Sequence, residues 1–210
     1  MSIPKNLHFC WFGSNDISAI NEQCVESWKR FLPDWKFYFW NENKYDLDKD
    51  HYAKLAYHAN QFAFVSDSVR LNVLYQYGGV YVDMDMEILQ TLNPLLHLNC
   101  FLGFQDVCKN EDWVNNAIMG SAPQNPFLLD IKSVALESIR ENNYFLRSPQ
   151  STTNVLLSYG LQNYENQTLR DVSIFEQDYF YPSPYGVDVD RNYITPNSMT
   201  LHHWEGAWCK

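Results

Sequence analysis

Two carboxylates one residue apart, Asp83 and Asp85, follow the apolar run Gly79-Val80-Tyr81-Val82. A strand rises roughly 3.3 Å per residue and alternates its side chains, so the two acids would point the same way, roughly 6–7 Å apart along the backbone. Like charges held beside a buried strand repel each other, and a hard divalent cation is their natural partner. Magnesium or manganese bound there would keep open positions for phosphate oxygens. The plainer alternative is an acidic turn facing solvent; the location at the end of a buried strand brings the cation level with it. Glu87 continues the alternation, as a solvated group or one standing behind the ligands. Asp67 and Arg70 are three residues apart and share one helix face, where a surface ion pair is the plainest reading.

The elements that must carry these groups read as alternating helices and strands. Leu7 to Phe12 is a short apolar stretch ending at Gly13, which predicts a buried strand. Ile20, Cys24, Trp28 and Phe31 recur at helical spacing within 17–31, and Pro33 stops that helix. Lys36 to Trp40 predicts a second strand and His51 to Gln61 a helix. Ser66 is placed to cap a helix running through Val69, Val73 and Tyr77 to the stop at Gly78-Gly79. Val80 to Val82 then leads into the acidic pair. Phe101 to Phe104 and Ala117 to Met119 predict further strands, and Pro126 to Arg140 a helix. This order predicts an α/β fold with a mostly parallel sheet, in a single domain over 1–210. Ligands of such sheets collect at the carboxyl ends of the strands, where Asp83 and Asp85 stand.

The 210 residues are 46% hydrophobic, enough for a sizeable core. A net charge of −10 excludes a general nucleic-acid binder, which needs a basic face, but not a nucleotide held through a bound cation. Seven Trp and 14 Tyr supply flat faces for bases and sugar rings, or simply an aromatic core. The five cysteines are widely spaced with no CxxC, which points away from a disulfide framework or zinc ribbon and towards a reducing cytoplasm. The opening apolar run is short for a signal peptide, and no stretch reaches membrane-spanning length. Short basic or aromatic patches leave room for peripheral contact at the inner face of a membrane.

The segment from Ala63 to Leu71, with Ser66-Asp67-Ser68-Val69-Arg70, and the segment from Leu74 to Asp85 together resemble the DXD sugar-binding region of family 32 glycosyltransferases. That group takes in yeast initiation mannosyltransferases and bacterial capsule or O-antigen transferases. The glucosylating domains of clostridial toxins are distant relatives. Ile3-Pro4-Lys5-Asn6-Leu7-His8 through Trp11-Phe12-Gly13 resembles the family's opening block, IPKxIHxxWFG. Ser27-Trp28, Pro33-Asp34-Trp35 and Trp40-Asn41-Glu42 resemble the next one, and Leu201 to Trp208 the closing HHxxGSW. Ala207 replaces the usual Ser, and Ser151-Thr152-Thr153 stands where a Gly-Pro before Thr is usual.

The resemblance implies a GT-A fold, a nucleotide-sugar donor, a divalent metal (manganese or magnesium) and retention at the anomeric carbon. It implies that Trp11 stacks on the base, that Asp67 accepts sugar or ribose hydroxyls and that Arg70 donates to sugar or phosphate oxygens. Asp85 is then the direct metal ligand, with Asp83 on metal-bound water, ribose or sugar. His203 is expected at the metal or the diphosphate, with His202 turned to the other face. Trp208 would close over the diphosphate, Asn116 would touch donor sugar or acceptor, and His8 would be structural. The implied acceptor is a saccharide on a lipid carrier in surface polysaccharide synthesis, with a UDP-hexose favoured as donor. Two other classes also fit a D-x-D after a strand: a haloacid-dehalogenase-type phosphatase with Asp83 as nucleophile, and a non-catalytic carbohydrate-binding protein.

Overall fold

The computed structural model describes residues 2–142 and 144–206. Seven strands form the main sheet in the order β2-β1-β3-β6-β5-β8-β7. They are β1 (Asn6–Cys10), β2 (Lys36–Trp40), β3 (Gly79–Val82), β5 (Cys100–Phe104), β6 (Val114–Ser121), β7 (Gln167–Leu169) and β8 (Val172–Phe175). β1, β2, β3, β5 and β8 run in one direction, and β6 and β7 oppose them. A separate two-stranded ribbon pairs β4 (Met86–Ile88) with β9 (Thr200–His202) in antiparallel register.

Helices cover both faces of the sheet. Val80 and Val82 point to the face covered by α1 (Ala19–Phe31), whose Cys24 and Trp28 are buried there. Tyr81, between them, points to the opposite face, in the core shared by α2 (His51–His58), α3 (Phe62–Tyr77), α4 (Pro126–Asn142) and α5 (Ser148–Ser158). This is the period-two alternation of a strand buried on both sides. A short α6 (Gln177–Phe180) follows β8.

α1 begins with a reciprocal capping box between Ser18 and Asn21. α3 starts earlier than the sequence signal suggested. The Val65 amide already bonds to the Gln61 carbonyl, so Ser66 lies inside the helix and caps nothing. α3 is buried along most of its length, and packing rather than capping sets its start. It stops at Gly78-Gly79, both at positive φ. A Cβ on Gly79 would come within 2.5 Å of the Asn6 carbonyl, so this turn can swing the chain from α3 into β3 only without side chains.

His8 ties that turn to the sheet. The Trp40 indole N–H donates to its Nδ1 at 3.2 Å, and its Nε2 lies 3.0 Å from the Gly78 carbonyl. An indole can only donate and a carbonyl can only accept, so the network demands a neutral ring with its proton on Nε2. Burial lowers the His8 pKa to about 4, partly offset by the Gly78 carbonyl. The unfolded chain therefore binds the extra proton between that value and 6.5, and the stability contribution is complete above pH 6.5 and lost as pH falls towards 4. Between pH 7.5 and 5.5 this costs about 1 kcal/mol. Urea denaturation at the two pH values should show that loss in wild type and a flatter profile in His8→Gln.

Candidate functional site

The acidic pair sits where β3 ends. Beyond Val82 the strand does not continue. Asp83 to Asp85 form a tight turn closed by the Met86 amide on the Asp83 carbonyl at 3.1 Å, and the chain re-emerges as β4. The turn, not strand alternation, brings the two carboxylates together. Asp83, Asp85 and His202 each offer a ligand atom, and all three atoms lie within 4.8 Å of one another.

Each acid is held differently. Oδ1 of Asp83 accepts from Arg70 Nη2 and from the Tyr81 hydroxyl, both at 2.9 Å. Tyr81 and Asp83 are two residues apart and share a strand face. Asp85 Oδ1 lies 3.2 Å from His202 Nε2, and its Oδ2 accepts the Glu205 amide at 3.0 Å. Burial raises the Asp83 pKa, opposed by Arg70 and reinforced by Asp85. Burial pushes Asp85 upward too, but His202 and the Glu205 amide outweigh it and leave its pKa lowered. The environment thus keeps Asp85 the more readily ionised of the two.

Arg70 is the hub behind the acids, with 5% exposure in the body of α3. Nη2 reaches Asp67 at 3.0 Å as well as Asp83, and Nη1 donates to the Asn116 carbonyl and amide oxygens at 2.9 and 2.7 Å. The guanidinium also lies 4.6 Å from the Tyr81 ring centroid. Both terminal nitrogens are thus engaged by protein, three of their N–H groups in hydrogen bonds. The expected donation from Arg70 to sugar or phosphate gives way to a different role, that of fixing Asp67 and Asp83.

Asn116 is corrected in the same way. It is fully buried, and its Nδ2 donates to Ser148 Oγ and Thr152 Oγ1 at 2.7 and 2.9 Å, leaving its side chain no face for a sugar. Ser148 and Thr152 lie on α5, within the 148–153 segment that departs from the family pattern. Asp67 keeps some exposure, takes hydrogen bonds from the amide and hydroxyl of Ser148, and has its pKa raised to about 6 by burial against the pull of Arg70.

His203 does not reach the cluster. In the ribbon Met86 faces His202 and Glu87 faces Leu201. His203 therefore shares the face of Leu201 and Glu87, and its Nε2 lies 3.0 Å from Glu87 Oε2. Glu87 is also held by both terminal nitrogens of Arg191 at 2.9 Å. The His203 contact and Arg191 lower its pKa to about 2. His202, expected on the far side, is the imidazole at the acids, with the Trp204 ring centroid 3.7 Å from its own. Trp11 stands just beyond the carboxyl end of β1, partly packed on the α1-side core, with its indole N–H on the Asn15 carbonyl at 2.7 Å. Trp208 lies outside the described residues.

The donor set fits magnesium or manganese: two carboxylates and one imidazole, with the Nδ1 of that imidazole buried and without a partner among the described residues. Tyr81, His202 and the Glu205 amide were not anticipated as site groups. The i, i+2 spacing of Tyr81 and Asp83 was the one available signal; the other two depend on a pairing 116 residues long in sequence, from Met86 to His202.

Among solved structures, the fold is similar to PaToxG glycosyltransferase (TM-score 0.60, 19% identity, 75% of this chain and 69% of that one). It is also similar to the galactosyltransferase LgtC (TM-score 0.56, 12% identity, 96% and 88%). The fold is thus of the GT-A glycosyltransferase type, a mixed sheet with most strands in one direction flanked by helices. Residues 19–102 of the chain match the family described as the glycosyltransferase sugar-binding region containing the DXD motif. Inositol phosphoceramide mannosyltransferase 3 of Schizosaccharomyces pombe is 28% identical over 62% of this chain. Mannosyl phosphorylinositol ceramide synthase SUR1 of Saccharomyces cerevisiae is 30% identical over 71%. The chain spans 36% and 38% of the lengths of these two relatives.

Proposed function

We propose that this protein is a metal-dependent, retaining glycosyltransferase that moves a hexose from a nucleotide-sugar, a UDP-sugar by preference, to a saccharide acceptor in surface polysaccharide synthesis. The observation that carries the reading is the convergence of Asp83, Asp85 and His202 at the carboxyl end of β3, inside the DXD region. Asp83, Asp85 and His202 would hold the manganese or magnesium ion. When bound, the ion supplies charge stabilisation to a departing nucleoside diphosphate.

The chain's own residues do the positioning. Asp85 offers the more readily ionised carboxylate, and Arg70 and Tyr81 fix Asp83 so that it need not reorganise. Asp67, partly exposed next to Arg70, is placed to accept a donor hydroxyl. Trp11, at the carboxyl end of β1, offers an aromatic face for the base. A cytoplasmic location at the inner face of a membrane is consistent with a lipid-linked acceptor. No helix among the described residues is long and apolar enough to cross a membrane. The four described cysteines are unpaired.

The phosphatase alternative loses its basis, because the fold and the DXD region both point to glycosyl transfer. A second donor–acceptor pair, mannosyl transfer to an inositol phosphoceramide, is suggested by the names of the two yeast relatives. A thermal-shift screen of UDP-glucose, UDP-galactose and GDP-mannose, with manganese or with chelator, separates these readings. One donor should raise the melting temperature by roughly 5–10 °C at saturation with manganese, and not in chelator. No shift with any nucleotide-sugar would remove the reading.

A further inference from the structure

A groove of about 480 Å³ opens between the loop after β5, the start of α5 and the loop after α6. Gln105, Asp106, Glu111, Asp112, Arg147 and Tyr185 line it. Three chains of contacts run from it towards the site. The Tyr185 ring lies edge-on to Trp204 at 5.2 Å, and Trp204 lies against His202. Gln105 accepts a hydrogen bond from Asn115, the neighbour of Asn116. Arg147 immediately precedes Ser148, which binds both Asn116 and Asp67.

We propose that this groove is the acceptor subsite and that it selects neutral or amino-bearing saccharides over those carrying phosphate or carboxylate. The inference rests on the glycosyltransferase reading for the word acceptor, but the selectivity follows from the groove itself. Three carboxylates and one guanidinium line it. That guanidinium is paired with Asp112 at 3.0 Å and lies 3.9 Å from Glu111, so among the described lining residues the carboxylates outnumber the cation three to one. Asp106 is turned inward onto its own loop, accepting from the Cys108 amide and the Asn110 side chain, each at 3.0 Å. Glu111 is the most open of these acids, with 77% of its side chain exposed. Carboxylates accept hydrogen bonds from hydroxyls and ammonium groups and repel anions. Tyr185, 61% exposed, offers a flat face for a sugar ring beside a polar rim.

Saturation-transfer NMR on the full chain tests this with four sets of methyl glycosides: neutral hexosides, 2-aminohexosides, hexuronates and hexoside 6-phosphates. Nucleotide-sugar hydrolysis without acceptor is assayed separately. Neutral and amino glycosides should bind, with the two acidic sets about tenfold weaker. Tyr185→Ala should weaken the neutral set by about tenfold. Glu111→Lys combined with Asp106→Asn should narrow or reverse the gap between neutral and acidic sets. Equal binding of all four sets, no binding of any glycoside, or a gap untouched by the charge substitutions would overturn the proposal. Selective binding by a protein that hydrolyses no nucleotide-sugar would uphold the groove's selectivity while removing the transferase reading. Hydrolysis without selectivity would do the reverse.

Discussion

Asp85→Ala abolishes donor turnover while leaving the protein folded. The Asp85 carboxylate is the more readily ionised of the pair, and it touches both His202 and the Glu205 amide. Removing it takes away one ligand and the anchor that orients the imidazole. Lewis-acid assistance is worth several kcal/mol, so the loss should be roughly a thousandfold or more in turnover. The fold should survive, because the substitution also removes one of two mutually repelling, partly buried carboxylates, and only one backbone amide loses its partner. Activity assays with excess manganese and circular dichroism on the same sample check both halves. His202→Ala should show a milder loss through weaker manganese binding. His203→Ala should keep manganese affinity, since that ring touches Glu87 and not the cluster. Turnover by Asp85→Ala at the wild-type rate, in chelator, would sink the metal role.

Arg70→Lys should damage stability and activity together. The guanidinium makes three directed hydrogen bonds to Asp83 and Asn116, and an ion pair with Asp67, from a site with 5% exposure. An ammonium keeps the charge but not the planar fork that serves Asp67, Asp83 and Asn116 together. Two partly buried carboxylates would then lose part of their compensation, and the cost should be about 2–3 kcal/mol in urea denaturation. Asp83 would also lose its fixed orientation, so manganese affinity should fall with stability. A variant of wild-type stability with lost activity would instead place Arg70 at the substrate.

Much of this architecture was legible in the residues. Lys36–Trp40 forms the strand its aromatic run predicted, and Pro126 opens the helix assigned to it. Gly78-Gly79 ends α3 because only glycine tolerates the two positive φ angles beside Asn6. These are local outcomes, decided by backbone sterics and by apolar spacing within about fifteen residues. The α5 helix and the β7–β8 hairpin were not anticipated: α5 runs through Ser, Thr and Gln with little apolar periodicity, and it is held by buried contacts to Asn116 and the sheet.

The amino-acid order by itself determined that two acids would stand at the end of a buried central strand, with an Asp and an Arg on one face of the preceding helix. It did so because strand burial, helix spacing and glycine turns are short-range physics. Which imidazole joins the acids, and whether Arg70 faces ligand or protein, was decided only by the tertiary structure. Adjacent residues of a strand point to opposite faces, so choosing between His202 and His203 needs the register against Met86. That register is set by packing between segments more than a hundred residues apart, and no local rule contains it.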